Sequence, residues 1–190
     1  MSERAPSSVL DEYLVVQSQL RDEGAFARLV RRWHPRLLRH AYHFTRDAEA
    51  ARDVAQESWM AVVRGLGTLR DPARFRPWAL RIVANKGRDW VRREQARRKA
   101  VLGAEEDAPW EAGASAGPGA VAGPGASEAV LRVRAGLAGL EPEQRLVLTW
   151  YYLEEMSVRE IAEALSIPSG TVKSRLFNAR RALERRLEEA

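Results

Sequence analysis

At 190 residues, 45% of them hydrophobic, the chain can build one ordinary domain or two small ones with buried cores. It has no cysteine, which excludes a disulfide framework, thiolate-bound zinc and a catalytic thiol. The net charge of +5 is uneven: 21 basic against 12 acidic residues over 1–99, four acids and no base over 100–127, and ten of each over 128–190. A basic first half suits an anionic partner such as nucleic acid, although a solvated helical surface produces the same surplus.

The start, Met1 to Pro6, is polar and lacks the apolar stretch of a secretory signal. No apolar run approaches the roughly 18 residues that span a bilayer. A cytoplasmic chain without a membrane span is expected.

Phe26, Leu29, Val30 and Trp33 share one helical face by the three-four spacing. Pro35 predicts a break, with Leu37, Leu38 and Ala41 on a following helix. A third helical pattern runs from Asp47 to Leu66 with Val54, Ala55, Val62 and Leu66 as its inner stripe. Gly67 and Asp71-Pro72 end it. Phe75, Ala79, Ile82 and Trp90 then line a last helix ending near Lys99, where Gly87 in the interior costs roughly 1 kcal/mol relative to alanine. Strand alternation is absent, so residues 1–99 read as a helical bundle.

Residues 100–127 read as a flexible linker. Its Gly, Ala, Pro and Ser cannot bury enough apolar surface to offset ordering, and Glu105, Glu106, Asp107 and Glu111 make it acidic. Residues 128–190 read as a second helical domain. Val130, Leu131, Leu137 and Leu140 precede Glu141-Pro142, and Leu146, Val147, Trp150 and Tyr151 follow. The expected fold class is therefore all-α, two small helical domains joined by a flexible linker.

The chain's last two helices carry its clearest signal. Ser157-Val158-Arg159-Glu160 has the form of a capping box. Val158, Ile161, Ala162 and Leu165 form an apolar face, Ser166-Ile167-Pro168 stops the helix, and Ser169 suits an N-cap. Val172, Leu176, Ala179 and Leu183 point inward on the next helix, leaving Thr171, Lys173, Ser174, Arg175, Phe177, Asn178, Arg180 and Arg181 outward. Residues 169–186 hold six bases and one acid. A short helix, a tight turn and a basic second helix are the parts of a major-groove reader.

Ile167-Pro168-Ser169-Gly170-Thr171-Val172-Lys173-Ser174-Arg175-Leu176, followed by Ala179-Arg180, closely resembles the recognition helix of bacterial RNA polymerase sigma factors, and is most similar to the extracytoplasmic-function (ECF) group. Asp53-Val54-Ala55-Gln56-Glu57-Ser58-Trp59 resembles the segment with which sigma region 2 grips the β′ clamp helices. Phe75-Arg76-Pro77-Trp78, Arg81-Ile82-Val83-Ala84-Asn85 and Asp89-Trp90-Val91-Arg92-Arg93 resemble the segment that melts and reads the −10 element. Family members often carry Leu where Ala79 follows Trp78.

The resemblance implies that Asp53, Gln56, Glu57 and Met60 contact core polymerase. These residues, with Arg64, share one helical face. It implies that Leu69, Arg74, Trp78, Arg81, Asn85, Arg88, Arg92 and Arg93 meet the melted −10 strand, with Asn85 lining a pocket for one extruded base and the Leu69 to Arg74 loop at its mouth. Residues 74–99 hold ten basic and two acidic residues, as single-stranded DNA requires. It further implies that Ser169, Thr171, Lys173, Ser174, Arg175, Phe177, Asn178, Arg180 and Arg181 read the −35 duplex. The linker would thread the polymerase near the RNA exit path.

Core RNA polymerase (β′ clamp helices and β flap), promoter DNA and an anti-sigma protein are the implied partners, with no cofactor and no small-molecule substrate. The alternative is an activator or repressor that binds duplex DNA without acting as a polymerase subunit. An enzyme is disfavoured: the sequence has no histidine–carboxylate–nucleophile set, phosphate-cradling glycine loop or metal cluster, and His34, His40 and His43 are irregularly spaced.

Overall fold

The computed structural model describes residues 6–102 and 127–188 of the chain, so the acidic linker positions Glu105, Glu106, Asp107 and Glu111 lie outside the described residues. The chain forms two compact units. The first holds α1 (Pro6–Gln19), α2 (Glu23–Thr45), α3 (Ala48–Gly65) and α4 (Phe75–Leu102). The second holds α5 (Glu128–Ala138), α6 (Pro142–Leu148), a π turn (Thr149–Leu153), α7 (Val158–Leu165) and α8 (Ser169–Glu188).

In the first unit α2 is the central element and packs against α1, α3 and α4. Its start is fixed by Asp22, whose side chain accepts from Ala25 N at 2.9 Å. The break predicted at Pro35 does not occur, and α2 runs through it. Leu29, Trp33, Leu37 and Ala41 are buried on one side, while Pro35 is exposed on the other. Each large apolar side chain so buried contributes about 1.5–3 kcal/mol, and together these exceed the roughly 3 kcal/mol that an interior proline costs.

Helix α1 has no counterpart in the sequence reading. It buries Leu14 and Val15 and is tied to α2 by the Asp11–Arg32 ion pair. Helix α3 begins where predicted, with Asp47 as N-cap accepting from Ala50 N at 2.8 Å. Along α4 the inward stripe is Phe75, Ala79, Leu80, Val83 and Ala84, whereas the expected Ile82 and Trp90 are half-buried. Gly87 continues the buried side, and an added Cβ there would lie 2.5 Å from Cγ and 2.9 Å from Cβ of Phe44 on α2. The glycine is therefore where α4 approaches α2 closely, and its low helix propensity is offset by the contact.

His43, on α2, is held down to about 3 by burial, then by His40, whose ring centroid is 5.8 Å away, and by Arg46 and Arg39. The unfolded chain protonates this group near 6.5 while the folded one does not. Folding is therefore unaffected by His43 above that value and loses stability as pH falls from 6.5 toward 3. Melting of the first unit is expected to move to lower temperature between pH 7 and pH 5. His43→Gln should flatten that dependence, and parallel curves for the two proteins would refute the assignment.

In the second unit α8 packs against α5, α6 and α7 over a core of Leu146, Val147, Trp150, Ile161, Leu165, Val172 and Leu176. The capping box forms as read. Glu160 N donates to Ser157 Oγ at 3.2 Å, and Ser157 N donates to Glu160 Oε2 at 2.8 Å.

Candidate nucleic-acid and polymerase interfaces

The turn between α7 and α8 is built by Ser166 rather than by the proline. Ser166 caps α7 in the left-handed region at φ 55, and Ile167 N reaches back to the Ala162 carbonyl at 3.1 Å, a Schellman-type closure. Pro168 then supplies the first free carbonyl of α8, accepting from Thr171 N and Val172 N at 3.0 and 3.2 Å. Ser169 is thus the first residue of α8 and not its N-cap, one position from the sequence reading. Val172, Leu176 and Ala179 are buried as expected, and Leu183 is half-buried.

That packing leaves Ser169, Lys173, Ser174, Phe177, Asn178, Arg180 and Arg181 exposed, with Thr171 and Arg175 half-buried. Ser174 Oγ donates to the Thr171 carbonyl at 3.0 Å, a local bond that exchanges readily. Arg175 pairs with Glu143 of α6 at 2.7 Å, which orients its guanidinium. The Arg180 guanidinium lies 5.5 Å from both the Tyr151 and Tyr152 ring centroids, and that of Arg181 lies 5.8 Å from Phe177. Such cation–π contacts orient these arginines without neutralising them. The sequence reading places Tyr151 among the apolar residues of its helix and does not assign Tyr152. The contact of both rings with Arg180 is not legible there, because they lie in the π turn about 30 residues before that arginine.

On the first unit, α3 presents Asp53, Gln56, Met60 and Arg64 as an exposed stripe, with Met60 52% exposed. Val63, 59% exposed, widens it with apolar surface that the sequence reading had not assigned. Glu57 belongs to the same helix but turns toward α4. Its carboxylate lies 3.4 Å from Lys86 Nζ and 3.4 Å from Arg93 Nη2. The sequence placed Glu57 and Arg93 on separate surfaces. The structure joins them, through residues 36 apart in the chain.

Trp78, Arg81, Asn85, Arg88 and Arg92 follow one face of α4 at steps of three and four. Arg81, Asn85 and Arg92 are exposed, and Arg88 is half-buried with its Nη1 donating to Asn85 Oδ1 at 3.2 Å. The Asn85 carbonyl is thereby engaged, and on this exposed residue the NH2 end retains its donors. Trp78 is half-buried, packing against Phe75 and against Gly65, where an added Cβ would be 3.0 Å from Cζ2. Much of the remaining charge is locally matched. Arg92 pairs with Asp89, and Arg97 and Arg98 pair with Glu94, whose carboxyl the Arg97 hydrogen bond holds down at about 2. Such exposed pairs contribute little to stability and release their arginines easily.

The loop before α4 holds Leu69 half-buried and Arg70, Asp71 and Arg74 exposed. Asp71 starts a short turn over Pro72–Arg74 by accepting from Ala73 N at 3.0 Å, and α4 follows directly. Among the described residues no group of three or more His, Asp or Glu side chains converges as metal ligands, and no helix is long and apolar enough to cross a membrane.

The fold and these faces define a helical protein of two units, the first carrying a basic helix and the second a helix-turn-helix. The Sigma-70 region 2 family matches residues 29–97 and the Sigma-70 region 4 family matches residues 131–183. The chain is 31% identical to the RNA polymerase sigma-H factor of Pseudomonas aeruginosa over 94% of both chains. It is 34% identical to the ECF RNA polymerase sigma factor SigM of Mycobacterium tuberculosis, covering 87% of this chain and 79% of that one. Among solved structures it is similar to CnrH in complex with the cytosolic domain of CnrY, with a TM-score of 0.61, 28% identity and coverage of 95% and 98%. The fold is shared by the sigma factor RpoE of Bartonella quintana in complex with the anti-sigma factor NepR, at a TM-score of 0.65 and 19% identity over 86% of this chain and 96% of that one. The chain belongs to the ECF group of RNA polymerase sigma factors. A stand-alone activator or repressor is not favoured, since the match extends through region 2 and not only the helix-turn-helix.

Proposed function

We propose that the protein joins core polymerase through the Asp53, Gln56, Glu57 and Met60 face of α3, reads a −35 duplex with α8, and captures one base of the melted −10 strand beside Asn85. It works in the cytoplasm, performs no catalysis of its own, and the second unit reaches the β flap. An anti-sigma protein holds it inactive. Support for such a partner comes from the similar chains CnrH and RpoE, each seen bound to a second protein.

The observation that carries the reading is Asn85, exposed among Arg81, Arg88 and Arg92 with its carbonyl held by Arg88 and its amide donor free. A melted strand offers phosphates to the arginines and a base edge to the amide. Extruding a base costs a few kcal/mol, which the pocket must offset. On the −35 side, Lys173 has the exposure and position for a base edge, a contact worth roughly 1–3 kcal/mol of discrimination.

The test uses holoenzyme and a duplex promoter that the holoenzyme itself selects from randomised −35 and −10 elements. Lys173→Ala should weaken transcription when the −35 element is intact and have little further effect once it is scrambled. Asn85→Ala should leave closed complexes near normal and reduce permanganate reactivity of thymines around the start site. A premelted bubble should hide part of that defect. An unchanged duplex footprint would sink the role of Asn85, and equal loss for Lys173→Ala on both templates would reduce that residue to a phosphate contact.

A further inference from the structure

Gln19 ends α1, and its carboxamide reaches a segment some fifty residues further along the chain. Its Nε2 donates to the Leu66 carbonyl at 2.9 Å and to the Leu69 carbonyl at 2.8 Å. The two N–H bonds of one amide thus bracket the short turn Leu66–Thr68. Leu69 N also donates to the Leu66 carbonyl at 3.1 Å, and Thr68 Oγ1 donates to the Gly65 carbonyl at 2.7 Å. Leu66 anchors the turn in the core and Leu69 is half-buried, but Gly67, Thr68 and Arg70 are exposed, so the outer backbone of the turn depends on hydrogen bonds to hold its conformation. The segment is fixed at one end by Gln19 and at the other by the Asp71 cap that leads into α4. Gln19 is itself half-buried, where a donor pair left unmade is costly.

We infer that Gln19 is a positioning residue for −10 recognition: its two-carbonyl clamp holds the Leu66–Leu69 turn so that the Leu69 to Arg74 loop stands ready beside the strand that Asn85 captures. The inference rests on the strand-capture reading given above. Without the clamp the loop samples several conformations, and the strand is captured only by the competent fraction, so apparent affinity falls by that fraction. Core binding and −35 reading use other surfaces and do not depend on it.

Full-length protein with core polymerase provides the test, on the selected promoter and on derivatives carrying each of the four bases at every −10 position. Gln19→Glu keeps the shape, removes both donors and sets an acceptor against two carbonyls. Gln19→Lys restores donors to the same place. Gln19→Glu is expected to lower open-complex formation about tenfold, the scale set by one or two net hydrogen bonds, and to flatten the preference among −10 bases. Core pull-down should match wild type, and Gln19→Lys should recover the preference. Gln19→Met, similar in length and lacking donors, carries the same comparison if Gln19→Glu does not fold.

Thermal melting is followed in parallel. A lowered melting temperature with an unchanged base preference would show a structural tie alone and overturn the inference. Asn85→Ala separates the two levels. If it alters −10 preference while Gln19→Glu does not, only the role of Gln19 fails. If neither alters it, strand capture at this site fails as well.

Discussion

Asp53→Arg combined with Gln56→Arg is expected to abolish co-purification with core polymerase and run-off transcription while the helical circular dichroism stays unchanged. Both side chains are exposed on α3, and arginine is a good helix former, so the substitutions alter the surface without touching the Val54, Ala55 and Ser58 packing beneath. Asp53 is the acidic member of that stripe that faces away from α4. If the stripe docks on a basic partner surface, reversal replaces attraction by repulsion and adds bulk at the centre of a contact. Truncation of the few residues that dominate an interface costs about 2 kcal/mol or more. If Asp53 and Gln56 lie at the centre of the contact, reversal at both should weaken binding by about a hundredfold or more. Wild-type pull-down and transcription by this variant would remove α3 from the polymerase interface.

Glu57 requires a gentler substitution than its neighbours. Reversal to arginine would bring a third cation against Lys86 and Arg93, so lost transcription could arise from displacing α4. Glu57→Gln removes the charge and retains the shape. Because the pair is partly exposed, its loss should be small in stability. A larger effect on transcription than on melting would place the Glu57 carboxylate at the functional surface.

Gly87→Val is expected to destabilise the first unit. A Cβ at this position meets Phe44 inside any allowed contact distance, and valine adds two further methyl groups. Helix propensity alone would favour replacing this glycine, by several tenths of a kcal/mol. Overpacking typically costs about 1–3 kcal/mol and occasionally more, and each kcal/mol lowers the melting temperature of a domain of this size by about 4–8 °C. The first unit should melt at least several degrees earlier while the second unit is unaffected. Phe44→Ala in the same chain should relieve part of the clash. A melting temperature at or above wild type would show that α4 and α2 do not approach as closely as described.

Local signals account for what could be read in advance. The capping box at Ser157 and Glu160, the start of the helical pattern at Asp47, the inward Val172, Leu176 and Ala179, and the absence of strand alternation each depend on residues close to one another in the chain. Periodicity and capping therefore carried the all-α class and the helix-turn-helix, and motif order carried the sigma family. Ser169 was misplaced by one position because the stop was attributed to Pro168, when a left-handed Ser166 had already closed α7. Pro35 was misread for a related reason. Propensity is local, but the stripe through Leu29, Trp33, Leu37 and Ala41 is stabilised by α1, α3 and α4, which packing alone brings to it.

The sequence by itself determined the all-α class, the helix-turn-helix and most of the outward polar stripes, because 3.6-residue periodicity and the distribution of charge are written along the chain. Its motifs determined the family. It did not determine α1 or the unbroken course of α2 through Pro35. Only the tertiary structure decided how those stripes are supported. Gln19 holds carbonyls 47 and 50 residues away, Glu57 turns from its own stripe to pair with Arg93, and Gly87 is required by Phe44. Each depends on two helices approaching from distant parts of the chain, and no pattern confined to neighbouring residues encodes how close that approach will be.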